Sequence, residues 1–203
     1  MTWTDRIVVD GSDRTAWEIA RLDVIGAHDA KTLAKVESVE GYVRQKLTPF
    51  GGNAATASGN RWEPLLLAWG GMPENKALIH STIERGFAAT PDGIIELGGG
   101  RVGLAECKAK HDMVVSGPTL GEWRQLAWQF LCIPEADWTD FIWGELIRGD
   151  DGAYDLRKGN PKKLRIERDH PKVLALTAQL LPIAQEMLAV LRAVRRIQKE
   201  LDL

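Results

Sequence analysis

The sequence predicts an α/β (α+β) fold, a mixed central β-sheet flanked by helices and finished by a C-terminal helix. Three observations predict it. Two β-prone apolar runs, DGIIEL and RVGLAECKAK, flank Gly98, Gly99 and Gly100 as the arms of a hairpin. The segment LGEWRQLAWQFLC, Leu120 to Cys132, carries apolar residues at helical spacing and leads into the strand-like TDFIWGELI. From Pro171 onward, Leu174, Leu181, Leu188 and Leu191 belong to a long helical pattern. Strands followed by a helix and a further strand need a sheet covered by helices.

The elements follow in order. Trp17, Ile19, Ala20 and Leu22 predict a short helix, and another begins at Asp29, with Gly26 at the junction. TPFGGNAATASGN, Thr48 to Asn60, reads as a small-residue mobile loop or lid. A third helix is expected to start near Trp62 and to end at Gly70, Gly71 and Pro73. ALIHSTIERGFAAT, Ala77 to Thr90, is expected to add a strand antiparallel to the hairpin. RKGNPKKLRIER, Arg157 to Arg168, reads as a basic loop and short strand, and Pro182 is expected to kink the final helix. Residues 1–203 are expected to form one domain, with a core of about 15–148 and an extension over about 149–203 holding the basic loop and last helix.

At 44% hydrophobic and 27% charged, the composition is that of an ordinary globular chain. The net charge of −2 gives no global attraction to a polyanion, so a nucleic-acid surface would have to concentrate positive charge locally. The two cysteines, Cys107 and Cys132, form no C-x-x-C pair, which excludes a four-thiolate zinc or iron–sulfur site and favours a reducing compartment. The N-terminus shows no signal-peptide h-region, and no apolar stretch is read as reaching the ~20 residues of a bilayer span. A cytoplasmic location without a membrane partner is expected.

The chemistry concentrates between Thr90 and Lys108. A hairpin joins its outer ends, so Asp92 at the start of one arm comes beside Glu106 at the end of the other. Glu106 and Lys108, two apart on a strand, face the same side. Two carboxylates and an ammonium around a hard cation suit hydrolysis of phosphate esters. Asp92-Gly93 also reads as a plain turn pair, and Glu106 and Lys108 as a solvated strand face. Glu106, however, follows Leu104-Ala105 at the end of an apolar run. A buried carboxylate near another is costly unless a cation neutralises both.

These residues resemble the PD-(D/E)xK nuclease superfamily, with its restriction-endonuclease-like core, and within it the phage-type group of lambda exonuclease and the YqaJ-like viral recombinases. Four segments between Arg21 and Trp143 match in order: RLDVIGAHDA, GNRWEP with Glu63, ATPDG with ECK, and the helix with Gln125 and Gln129. The resemblance implies Mg²⁺, with Mn²⁺ as a substitute, held by Asp92, Glu106 and the Cys107 main-chain carbonyl, with Glu63 toward the same ions. It implies that Lys108 orients or helps deprotonate the attacking water, and that Gln125 bonds near the nucleophile or a substrate phosphate. Gln129, one turn further on, takes that role if the register shifts. Arg21 resembles the arginine that holds a 5′-terminal phosphate, a task suited to the guanidinium fork. Glu63 also reads as an acid favoured at a helix N-terminus, and Arg21 as a surface ion-pair residue.

His28 stands where the group commonly has serine, which leaves 5′-phosphate recognition and end dependence open. The run of Arg157, Lys158, Lys162, Lys163, Arg165 and Arg168 reads as a track for a phosphate backbone or as a solvated loop. Trp62 beside Glu63 is the candidate base-stacking wedge, while Trp128 and Trp143 belong in the core. The resemblance further implies duplex DNA as substrate, degradation of one strand from an end in phage recombination, and a single-strand annealing protein as partner. It also implies a homo-oligomer, a ring-shaped trimer in relatives. The rival readings are an endonuclease or repair nuclease without end dependence, and a catalytically silent DNA-binding or interaction protein on a nuclease fold.

Overall fold

The computed structural model describes residues 2–48, 54–150, 152–157 and 161–201. A 3-10 turn, Thr4–Arg6, enters β1 (Ile7–Val9), a strand missing from the sequence expectation because three β-branched residues show no period. α1 (Arg14–Leu22) starts where the Asp13 carboxylate accepts the Thr15 and Ala16 amides at 2.8 and 3.1 Å. The single turn α2 (Ala27–Ala30) is fixed by Asp29, which accepts the Gly26 amide at 2.8 Å. α3 (Val39–Leu47) follows.

α4 (Ala54–Gly70) begins well before Trp62. The helix propensity of Ala54, Ala55 and Ala57 outweighs the cost of Gly59, so residues 54–60 of the expected loop are helical. Residues 49–53 of that loop lie outside the described residues. β2 (Leu78–His80) and β3 (Ala88–Ala89) join β1 in a separate three-stranded antiparallel sheet of order β1-β2-β3. The Ala77 to Thr90 run is therefore no neighbour of the hairpin. A turn, closed by the Ser81 amide on the Phe87 carbonyl at 2.7 Å, breaks it in two. Arg6, fully buried, donates to the Cys132 carbonyl at 2.7 Å and pairs with Glu135 at 2.5 Å, tying this small sheet to the main body.

The main sheet opens with β4 (Gly93–Gly98) and β5 (Arg101–His111), the expected hairpin. Its turn residues Gly99 and Gly100 have φ of +59° and +77°, a primed turn that side chains with a Cβ disfavour. α5 (Leu120–Cys132) is launched by a capping box between Thr119 and Glu122. β6 (Ala136–Arg148) then returns parallel to β5, and β7 (Tyr154–Leu156) and β8 (Lys162–Glu167) both pair antiparallel with β6. The sheet is mixed, as expected.

Alternation along β5 divides the core. Glu106, Lys108 and Lys110 share one face, on which Gln125, Gln129 and Glu122 of α5 meet Glu106 and Lys110. Ala105 and Cys107 face the other way and pack with Leu66, Leu67, Met72 and Ile142 under α4. Trp128 is wholly buried, its Nε1 donating to the Ala88 carbonyl at 3.0 Å and its ring set edge-on to Phe87. α6 (Pro171–Glu200) runs unbroken through Pro182. Contrary to expectation, an apolar window of α6, with mean hydropathy 1.6, is long enough to cross a membrane by length and composition. That apolar content includes a buried stripe from Val173 through Leu180 and Met187 to Leu191, and the helix packs against α5 and α3.

Candidate active site

Strand register assembles the site. Gly93 lies opposite Ala105, so Asp92 stands just beyond the end of β4, across from Glu106. The Cys107 amide donates to Asp92 Oδ2 at 2.6 Å. Because the N–H and C=O of one strand residue point to the same edge, the Cys107 carbonyl faces the same open edge beyond β4.

Asp92 is held from behind by Asn75, a residue with no sequence signal. The Asn75 amide donates to the Asp92 carbonyl at 2.8 Å, and its Nδ2 donates to the Pro91 carbonyl at 2.8 Å. Gly93 sets the spacing on the other side. A Cβ there would lie 2.9 Å from both Leu67 Cδ2 and the Pro73 carbonyl oxygen. The bare glycine lets α4, which carries Glu63, lie close over the hairpin.

Glu106 is 1% exposed and bonded at both carboxylate oxygens. Lys108 Nζ pairs with its Oε1, Gln125 Nε2 donates to Oε1 at 2.5 Å, and Gln129 Nε2 donates to Oε2 at 2.5 Å. Gln129 has no exposed surface, which removes it from the DNA contacts and makes it a positioning group for Glu106. Trp62 likewise departs from the sequence expectation. At 5% exposure its ring is packed away, and a covered ring cannot serve as a wedge.

Burial, and then the neighbouring Glu106, push the Asp92 carboxyl well above its ordinary value. The same causes, in the same order, raise Glu63. Burial alone would lower the Lys108 ammonium, but Glu106 and Asp92 outweigh it and hold the group above the ordinary lysine range. Burial, reinforced by Asp92 and Glu106, also raises the Cys107 thiol, which stays neutral and contributes no thiolate.

A cleft of about 600 Å³ opens onto this corner and brings together Arg21, His28, Glu63, Asp92 and Gln125. Arg21 and His28 arrive from α1 and α2. Between them, the Ile25 amide donates to the Gly86 carbonyl at 2.7 Å and the Ile25 carbonyl accepts from Ala88 at 3.0 Å. His28 keeps an exposed face, yet the crowding of the cleft wall, and then Arg21, lower its pKa below the ordinary value.

The basic strand is not brought to the cleft. Lys162 pairs with Glu145 at 2.7 Å, Lys163 lies 3.4 Å from Asp140, and Arg165 grips Asp140 with both prongs at 2.8 and 2.9 Å. The expected backbone track is thus largely neutralised by acids of β6, which no local reading of the basic run reveals. Lys158 lies outside the described residues.

Among the described residues, no three carboxylate, histidine or cysteine side chains stand together as a ready-made metal cage. The donor set nonetheless fits a hard divalent cation. Three carboxylates, Asp92, Glu106 and Glu63, are only partly offset by the Lys108 ammonium, and burial and then Glu106 raise both Asp92 and Glu63.

A carboxylate pair and a lysine stand at the corner of a mixed, helix-flanked sheet. The chain shares its fold with two solved exonucleases. The crystal structure of LHK-Exo in complex with dAMP matches with a TM-score of 0.58 at 24% identity, over 92% of this chain and 99% of that one. A phage-related exonuclease from Haemophilus somnus 129PT matches with a TM-score of 0.54 at 15% identity, over 94% and 93%. No protein-family model matches the chain, and no curated protein sequence does.

Proposed function

We propose that this protein is a Mg²⁺-dependent deoxyribonuclease that degrades one strand of duplex DNA from an end. The observation that carries the reading is the Asp92–Glu106–Lys108 corner, with surplus buried negative charge, on a fold shared with two solved exonucleases. Asp92, Glu106 and the Cys107 carbonyl would hold the ion, with Glu63 at its flank. When bound, the ion supplies Lewis acidity and a more acidic water.

The chain's own residues do the rest. Gln125 and Gln129 fix the Glu106 carboxylate in one orientation. Lys108, as an ammonium, orients the attacking water and offsets negative charge gathering on the phosphate oxygens. Arg21 and His28, across the cleft, receive the terminal phosphate. A neutral His28 offers one ring donor at pH 7, so Arg21 carries most of that contact. Cytoplasmic action, assembly with like subunits and delivery of single strands to an annealing protein belong to the same reading.

Incubation of linear and closed circular duplex with Mg²⁺, with and without chelator, tests it. Loss of linear DNA alone, stopped by chelator, is the expected result. Nicking of circles instead would support an end-independent endonuclease. Binding with neither cut would favour a silent DNA-binding protein.

A further inference from the structure

We infer that Arg14 and Trp17 extend the cleft into a clamp for two successive phosphates, Arg21 taking the terminal one and Arg14 the next. This rests on the reading of the cleft as a DNA site. The observation is the exposed helix α1, which buries none of its residues completely. Arg14, Trp17 and Arg21 fall three and seven residues apart on it, one face of the helix, and all three line the cleft.

The Trp17 ring organises the two cations. The Arg14 guanidinium carbon lies 4.7 Å from the ring centroid and that of Arg21 lies 5.2 Å from it. A guanidinium lying on an aromatic face keeps its N–H donors at its rim, free to meet an oxyanion, while the ring limits its rotamers. Both cations sit on one indole, so they are within about 10 Å of each other. That span suits neighbouring phosphates of one strand.

Competing acids are weak here. Glu18 meets Arg14 Nε at 2.7 Å, but the pair is solvent-exposed and one turn apart on the helix, so a phosphate displaces it at little cost. Trp17 itself is rooted by the small cluster of Val24, Leu78 and Ala88. The wall is therefore fixed to the small β-sheet, opposite the carboxylates of the hairpin. The cleft has a cationic–aromatic end and an acidic end, which orients a strand running through it.

The test is duplex binding by the intact protein, with a 5′-phosphorylated duplex and Ca²⁺ in place of Mg²⁺, titrated across a salt series. Removal of one phosphate-binding cation lowers the slope of log affinity against log salt by about 0.9. Arg14→Ala should lower it by that amount, and Arg14→Lys should restore the charge-dependent slope with weaker binding. Trp17→Ala should lower it by up to twice as much, whereas Trp17→Phe, which keeps a π face, should stay near wild type. An unchanged slope in Arg14→Ala overturns the clamp, as does a wild-type protein that does not bind. Mg²⁺-driven cleavage by the wild-type protein reads the nuclease assignment separately. Cleavage with an unchanged Arg14→Ala slope refutes the clamp alone. The expected slopes without cleavage refute the nuclease and leave the clamp standing.

Discussion

Gln129 donates its side-chain amide to Glu106 across the interface between α5 and β5, at 2.5 Å and out of reach of solvent. The carboxylate of Glu106 is thereby oriented by a neutral group that touches neither water nor substrate.

Gln129→Leu should leave the fold intact, since leucine fills the site without an unmatched amide oxygen. Groups that orient ligands in this way are worth about 10–100-fold in metal affinity or activity. A Mn²⁺ titration followed by calorimetry should show a loss in that range, and wild-type affinity would remove the role.

Lys108→Met should slow cleavage by at least about 10²–10³-fold, the cost of deleting one donor aimed at developing charge. Circular dichroism should show an unchanged fold. Retained cleavage would remove Lys108 from the chemistry.

Asp92→Asn should stabilise the metal-free protein while abolishing cleavage. The Asp92 pKa is raised in the folded state, so the folded chain binds this proton more firmly than the unfolded one. Stability from this group is therefore full below about pH 4 and falls as pH rises through the raised value. Melting in EDTA between pH 5 and pH 8 should show a wild-type Tm that drops with pH and a flatter curve for the variant. Mg²⁺ should raise the wild-type Tm and leave the variant little changed.

The hairpin was legible because its chemistry is local: a turn, two arms and alternation decide that Asp92, Glu106 and Lys108 converge. The mixed sheet and the α5 helix were legible from periodicity for the same reason. What escaped the sequence depended on distant partners. Trp62 looks like a wedge and Gln129 like a substrate contact until the burial of both is known. The positive charge of Lys162, Lys163 and Arg165 is answered by Asp140 and Glu145, roughly twenty residues upstream on β6. Asn75 shows nothing in sequence, because its target carbonyls lie beyond an intervening strand pair.

Asn75→Ala should free the Thr90-Pro91-Asp92 turn, costing about 1–2 kcal/mol for the missing side-chain bonds. Urea unfolding should report that loss, and Mg²⁺ affinity should fall with it. A stability loss with unaltered affinity would make Asn75 structural only.

Gly93→Ala should cost about 1–3 kcal/mol, because the Pro73 carbonyl is backbone and cannot swing away from the new methyl. A lower denaturant midpoint with an unchanged slope is the expected record, and an unaltered midpoint would show that α4 rides freely over the hairpin.

Cys107 gives the corner a last property. Its main chain belongs to the acidic edge, while its side chain lies on the far face against Leu66 and Leu67 of the helix that carries Glu63. The side chain at 107 therefore works as a shim. Its bulk, rather than its sulfur chemistry, helps set the spacing between the sheet and α4, so under the proposed reading a change of size at 107 would shift Glu63 relative to Asp92 and Glu106.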